Sequence, residues 1–103
     1  MTKYNVVITE LFEEELDQLI DATIYQYDAP LSAERYFKGI MDQLKNLEII
    51  AGSLPYARNK YIVDRYGSFC KRLNYKKISI LFYVNGCNVY LISILPQSGI
   101  YGV

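Results

Sequence analysis

Seven lysines and arginines and seven tyrosines crowd the second half of this chain. Residues 53–103 hold Arg58, Lys60, Arg65, Lys71, Arg72, Lys76 and Lys77 against Asp64 alone, a net +6. Residues 1–52 hold four Lys/Arg against ten Asp/Glu, a net −6, so the whole chain sums to zero. A split of this kind predicts an anionic partner for the basic half, either nucleic acid or an acidic protein segment. Tyr56, Tyr61, Tyr66, Tyr75, Tyr83, Tyr90 and Tyr101 are interleaved with those cations. Cations among aromatic rings suit stacking on unpaired bases. The same tyrosines also suit half-buried strands.

The chain has no histidine. That removes Ser–His and Cys–His nucleophile pairs, most zinc sites and the usual general base. Chemistry is left to Lys, Arg, Tyr, Ser and carboxylates. Cys70 and Cys87 fall inside predicted strands without metal-ligand spacing, and read as small buried hydrophobes in a reducing cytosol. Nothing in the residues calls for a cofactor or a metal.

The elements that must position these groups are legible as periodicities. Lys77–Leu95 reads as two β-branched and aromatic runs around Asn85-Gly86, a strong hairpin signal. A type I′ turn on that pair would set Val84 opposite Cys87, Phe82 opposite Val89, Ile80 opposite Leu91 and Ile78 opposite Ser93. Those eight residues would share one apolar face, the floor of the core. The other face would carry Lys77, Ser79, Leu81, Tyr83, Asn88, Tyr90, Ile92 and Ile94.

Upstream, Lys3–Ile8 reads as a strand, and Thr9 can cap a following helix. From Glu10 to about Tyr27, Phe12, Leu16, Leu19, Ile20, Thr23, Ile24 and Tyr27 keep a one-sided helical spacing. Glu13, Glu14, Asp17, Asp21 and Asp28 make its solvated face. Asp28-Ala29-Pro30 breaks the helix, and Ser32 can cap a second one. That one runs through Ala33, Tyr36, Phe37, Ile40, Met41, Leu44 and Leu47 to about Ile50, with Gly52 as its C′ residue. Residues 53–67 read as a loop with a short strand near Tyr61–Val63, and 68–74 as a strand whose buried side the pattern leaves open. The tail from Pro96 reads as non-helical.

The expected architecture is α+β in the order β-α-α-β-β-β, a helical hairpin packed on a mainly antiparallel four-stranded sheet. The 103 residues fit a single domain, 1–103. No apolar run reaches the roughly 18 residues of a membrane span, and Met-Thr-Lys-Tyr-Asn lacks a signal-peptide core. A cytoplasmic protein without membrane contact is the expectation.

Three stretches in this order resemble the RelE/ParE superfamily of type II toxin–antitoxin toxins, which includes plasmid stabilisation proteins. YNVVITELFEEELDQLIDATIYQ is similar to the opening strand and acidic first helix. APLSAERYFKGIMDQLKNLEIIAGSLPYAR is similar to the second helix and the proline-bearing loop after it. ISILFYVNGCNVYLISIL is similar to the final hairpin. The resemblance covers nearly the whole chain. It implies a small bacterial toxin that inhibits growth and is neutralised by a cognate antitoxin, with a homodimer as a further possibility for the family.

RelE-like members cleave mRNA on the ribosome; ParE-like members act on DNA gyrase. In RelE-type cleavage a 2′-hydroxyl attacks its own phosphate while Lys and Arg stabilise the charge building on phosphorus. Where many members carry Arg in the last two strands, this chain has Ser79 and Ser93, and the His and Arg that often follow fall near Pro96 and Ser98. The remaining candidates for a site are Arg65, Lys71, Arg72, Lys77, Tyr83, Tyr90 and Tyr101. Because RelE-type cations are sparse, the resemblance points first to a ParE-like toxin. A RelE-like ribonuclease using Lys71, Arg72 and a tyrosine comes second, and a module that only binds antitoxin third.

Overall fold

A computed structural model describes residues 3–27 and 30–100. The elements are β1 (Asn5–Ile8), α1 (Glu10–Tyr27), α2 (Pro30–Ile50), α3 (Lys60–Tyr66), β2 (Lys71–Tyr75), β3 (Ile78–Asn85) and β4 (Asn88–Pro96). Single 3₁₀ turns follow α2 at Ala51–Ser53 and β4 at Gln97–Gly99. The strands form one mixed sheet in the order β1-β4-β3-β2. β1 runs parallel to β4, and the other two pairings are antiparallel.

The helical hairpin covers one face of the sheet. Phe12 and Leu16 of α1 and Ile40, Leu44 and Leu47 of α2 pack on Ile78, Ile80, Phe82, Val89, Leu91 and Ile94. Thr9 joins β1 to α1. Its backbone N–H and its hydroxyl both donate to the Leu91 carbonyl, while its hydroxyl oxygen accepts from Phe12 N. One side chain therefore ends the parallel pairing and caps the helix.

Helix α3 stands where a loop and short strand were expected. Its signals are local but short. Asn59 Oδ1 accepts from Ile62 N at 3.2 Å, and Gly67 closes the helix at φ +92°. Ile62 is fully buried, and with Cys70, Leu81 and Ile100 it makes a second small core on the opposite face of the sheet. Seven residues are too few for a periodicity to show, so burial of Ile62 decided the element. The tail likewise has its one 3₁₀ turn.

Four further expectations are corrected. The β3–β4 turn is Gly86-Cys87, because Asn85 pairs with Asn88 and Val84 with Val89. Only its first central residue has positive φ (Gly86, +61°), the pattern of a type II′ turn. The shift of two residues keeps each strand's faces but puts Cys87 in the exposed turn. Further along, Phe82 pairs with Leu91 and Leu81 with Ser93, so Ile92 is an extra residue, a β-bulge. Beyond it the faces of β4 exchange: Ile94 enters the main core and Ser93 leaves it. Finally, α2 begins at Pro30, so Ser32 lies inside it. Gly52 sits in the 3₁₀ turn, where a Cβ would collide with the Tyr4 hydroxyl, so close approach and not a left-handed cap requires it.

Candidate anion-binding face

Strand β2 distributes its side chains by simple alternation, and that alternation divides the candidate cations. Lys71 pairs with Phe82, Leu73 with Ile80 and Tyr75 with Ile78, so these face the helical hairpin. Arg72 pairs with Leu81 and Asn74 with Ser79, so these face the other way.

Lys71 is only 7% exposed. Its Nζ donates to the carbonyls of Ala51 (3.3 Å) and Gly52 (3.2 Å) and lies 5.1 Å from the centre of the Tyr56 ring. Carbonyls at a helix end lack intrahelical donors, and an ammonium satisfies them well. Lys71 is thus a buried cap for the end of α2, on the side of the sheet away from Arg72. Lys77 lies in the two-residue turn between β2 and β3. Lys71, Arg72 and Lys77, all candidates from the sequence, therefore do not share one face.

What the sheet does assemble is a smaller site around Arg72. Its Nε donates to Asn74 Oδ1 (2.8 Å) and Ser79 Oγ (2.9 Å), and Ser79 Oγ donates to Asn74 Oδ1 (2.6 Å). Ser79 is completely buried. The two neutral partners fix the guanidinium without neutralising it, and Nη2 is buried with no hydrogen-bond partner. Burial lowers the Arg72 pKa from its ordinary value, yet a guanidinium remains cationic throughout the working range. A half-buried guanidinium, fixed at Nε by neutral partners and left uncompensated, is suited to a carboxylate or a phosphate oxygen.

Tyr83 and Tyr90 pair across β3–β4 on this same face. The Tyr83 hydroxyl donates to the Tyr66 carbonyl at the end of α3. Burial raises the Tyr83 pKa, with Cys70 and Tyr66 adding to the shift, so its phenol keeps its proton and serves as a donor. Arg65 is exposed on α3 with its guanidinium 4.5 Å from the centre of the Tyr61 ring. Tyr101 lies outside the described residues. Of the seven candidates, then, Arg72, Tyr83 and Tyr90 share the face, Arg65 sits on the helix packed over it, and Lys71 and Lys77 are elsewhere.

Sequence reasoning missed Asn74 and Ser79 as Arg72's partners. The two-residue spacing of Arg72 and Asn74 held half the signal; the Asn74–Ser79 register held the rest. It also missed Glu15, whose carboxylate accepts from Ser93 Oγ (2.8 Å) and from the Ile94 N–H. Burial raises the Glu15 pKa, and those two donors oppose the rise. The Tyr66 hydroxyl reaches Ser93 Oγ from the other side at 3.4 Å. Among the described residues no group of three His, Cys, Asp or Glu could hold a metal, and no helix is long and apolar enough to cross a membrane.

Solved structures share the backbone fold. A chain from the chromosomal ParDE toxin–antitoxin system of P. aeruginosa superimposes with a TM-score of 0.73 at 18% identity, over 91% of this chain and 96% of that one. A chain from the RelBE2 toxin–antitoxin complex of Mycobacterium tuberculosis gives 0.64 at 11% identity, over 92% and 99%. The chain has the RelE/ParE fold. No family model matches it, and no curated protein is similar to it in sequence. At these identities the ParE/RelE likeness is one of backbone, and the residues that would act are this chain's own.

Proposed function

We propose that this chain is the toxin of a type II toxin–antitoxin pair, ParE-like in action, which blocks an essential target such as DNA gyrase and is held in check by a cognate antitoxin. Its fold is that of chains from two toxin–antitoxin systems. The observation that carries the ParE-like reading is the placement of Lys71. With that ammonium occupied by Ala51 and Gly52, Arg72 is the one strand cation on the face beside Tyr83 and Tyr90. RNA cleavage asks for several cations around one phosphate and a group that moves protons near neutral pH. The face instead offers one fixed guanidinium and the Tyr83 phenol, which burial keeps protonated, and this suits gripping an anionic group of a macromolecule.

The RelE-like alternative keeps one specific support, the Arg72 charge that its neutral partners Asn74 and Ser79 leave uncompensated. Induced expression separates the readings. Growth arrest, relieved by co-expressing the adjacent reading frame, is the expected result. Loss of gyrase supercoiling activity with intact cell-free translation marks the ParE-like toxin. Cleaved mRNA in the translation extract would replace it with the ribonuclease. Unimpaired growth would leave only an antitoxin-binding module.

A further inference from the structure

The segment that carries α3 is closed at its base. The Ala57 N–H donates to the Cys70 carbonyl at 2.8 Å, and Tyr56 pairs with Lys71 in one antiparallel bridge. Residues 58–69 therefore leave the sheet and return to it at one point. Between those ends α3 has 7 residues, too short a helix to hold by itself. Ile62 seats it on Cys70, Leu81 and Ile100, a core far smaller than the one under the helical hairpin. Gly67, at φ +92°, ends the helix and suits a hinge.

Tyr66 fastens this segment twice. Its carbonyl, left open at the end of α3, accepts from the Tyr83 hydroxyl. Its own hydroxyl donates to Ser93 Oγ at 3.4 Å, and Ser93 Oγ donates to the Glu15 carboxylate at 2.8 Å. β1 pairs with β4 only from Asn88 to Leu91. At Ser93, therefore, β4 has an open edge on that side, and side chains from α1 and α3 can both reach it. Ser93 is fully buried between them. With its one proton committed to Glu15, the serine turns lone pairs to the Tyr66 hydroxyl, and each bond of such a chain strengthens the next.

We propose that residues 58–69 form a flap that opens on its closed base by local unfolding of α3, latched by Tyr66 and braced from α1 by Glu15. Opening lifts Ile62 from Cys70 and Leu81. Leu81 pairs with Arg72 across β2–β3, so the flap governs access to apolar ground beside the cation of the candidate site. Such a flap operates whatever target the chain has.

Cys70 reports the opening, because its thiol is fully buried against Ile62. In a Cys87→Ser chain a thiol reagent at low concentration labels Cys70 alone, at a rate that tracks the open population. That rate should rise with urea far less steeply than global unfolding does, since a short segment exposes little surface. Tyr83→Phe and Tyr66→Phe each remove one latch bond and should speed labelling about threefold or more. Glu15→Ala, a change on the far side of the sheet, should do the same. Glu15→Gln keeps an oxygen for Ser93 and should stay below that threshold. Phe12→Leu weakens the core under the helical hairpin, which the open flap retains. It should lower the urea midpoint and leave the labelling rate below the same threshold. Amides of residues 60–67 should exchange faster in the latch variants while those of β3 do not. Labelling that follows the global urea slope, or latch variants below the threshold, overturns the flap. A rate unmoved by Glu15→Ala overturns the brace from α1.

Discussion

Lys71 Nζ lies 3.3 Å from the Ala51 carbonyl oxygen, across 20 residues of chain and beneath the end of α2. This pairing takes the chain's most buried cation out of the candidate site and gives it a structural task. Lys71→Met keeps the aliphatic stem but leaves the Ala51 and Gly52 carbonyls without their donor. It should cost about 1.5–3 kcal/mol in urea denaturation and leave target binding unchanged once the protein is folded. A loss of activity without a loss of stability would return Lys71 to the site.

Arg72 should behave in the opposite way. Arg72→Leu removes the charge and an unsatisfied buried N–H together, so its stability change should be small, within about 1 kcal/mol. Growth arrest on induction should be abolished. Ser79→Ala frees the Nε side of the fork while leaving the charge, and should reduce toxicity only in part. Full toxicity in Arg72→Leu would dismiss this face as the site.

The two thiols should differ sharply. Cys87 sits in the exposed β3–β4 turn and Cys70 is buried. A thiol reagent at neutral pH should label Cys87 promptly and Cys70 only on unfolding. Burial pushes the Cys70 thiol from 9.0 up to about 11. The folded state keeps a proton that the unfolded chain releases at lower pH. Stability is therefore unaffected below pH 9 and falls as pH rises from about 9 to 11. Tyr83 and Tyr36, also raised by burial, act in the same direction. Cys70→Ala should shallow the alkaline slope measured by denaturation across that range.

Glu15 contributes at the acid end. Its carboxyl is raised above 4.5, so the folded chain binds its proton more tightly than the unfolded chain does. This group alone makes the fold less stable as pH climbs through that region. Glu15→Gln still offers an oxygen to the Ile94 N–H and removes the charge. The variant should match the parent near pH 4 and equal or exceed its stability at pH 7, in urea melts at the two pH values.

Gly39 tests the helix packing with a reversed sign. Glycine inside a helix normally gains about 0.5–1 kcal/mol on change to alanine. Here a Cβ would run into the Tyr75 hydroxyl, and that ring stacks on Tyr36 with centroids 6.3 Å apart. Gly39→Ala should destabilise by about 1–3 kcal/mol, and adding Tyr75→Phe should recover part of it.

The sequence by itself determined the helical hairpin and the order of the elements along the chain, but not the sheet order or the parallel β1–β4 pairing. It also determined the faces of Ile78–Val84 and of Val89–Leu91. Each is written in a repeat of 3.6 or two residues that neighbouring side chains enforce locally. Tertiary structure decided the rest, because the deciding partners are distant. The bulge at Ile92, which sends Ser93 out and Ile94 in, is held by a carboxylate 78 residues upstream in α1. Helix α3 depends on a second core under Ile62 that involves Leu81 and Ile100. The candidate site turned on the same distinction. A row of cations can be read from the letters, but their sides of the sheet follow from strand register and from which one meets the open carbonyls of α2. That meeting buried Lys71 and left Arg72, fixed by Asn74 and Ser79, on the face toward α3.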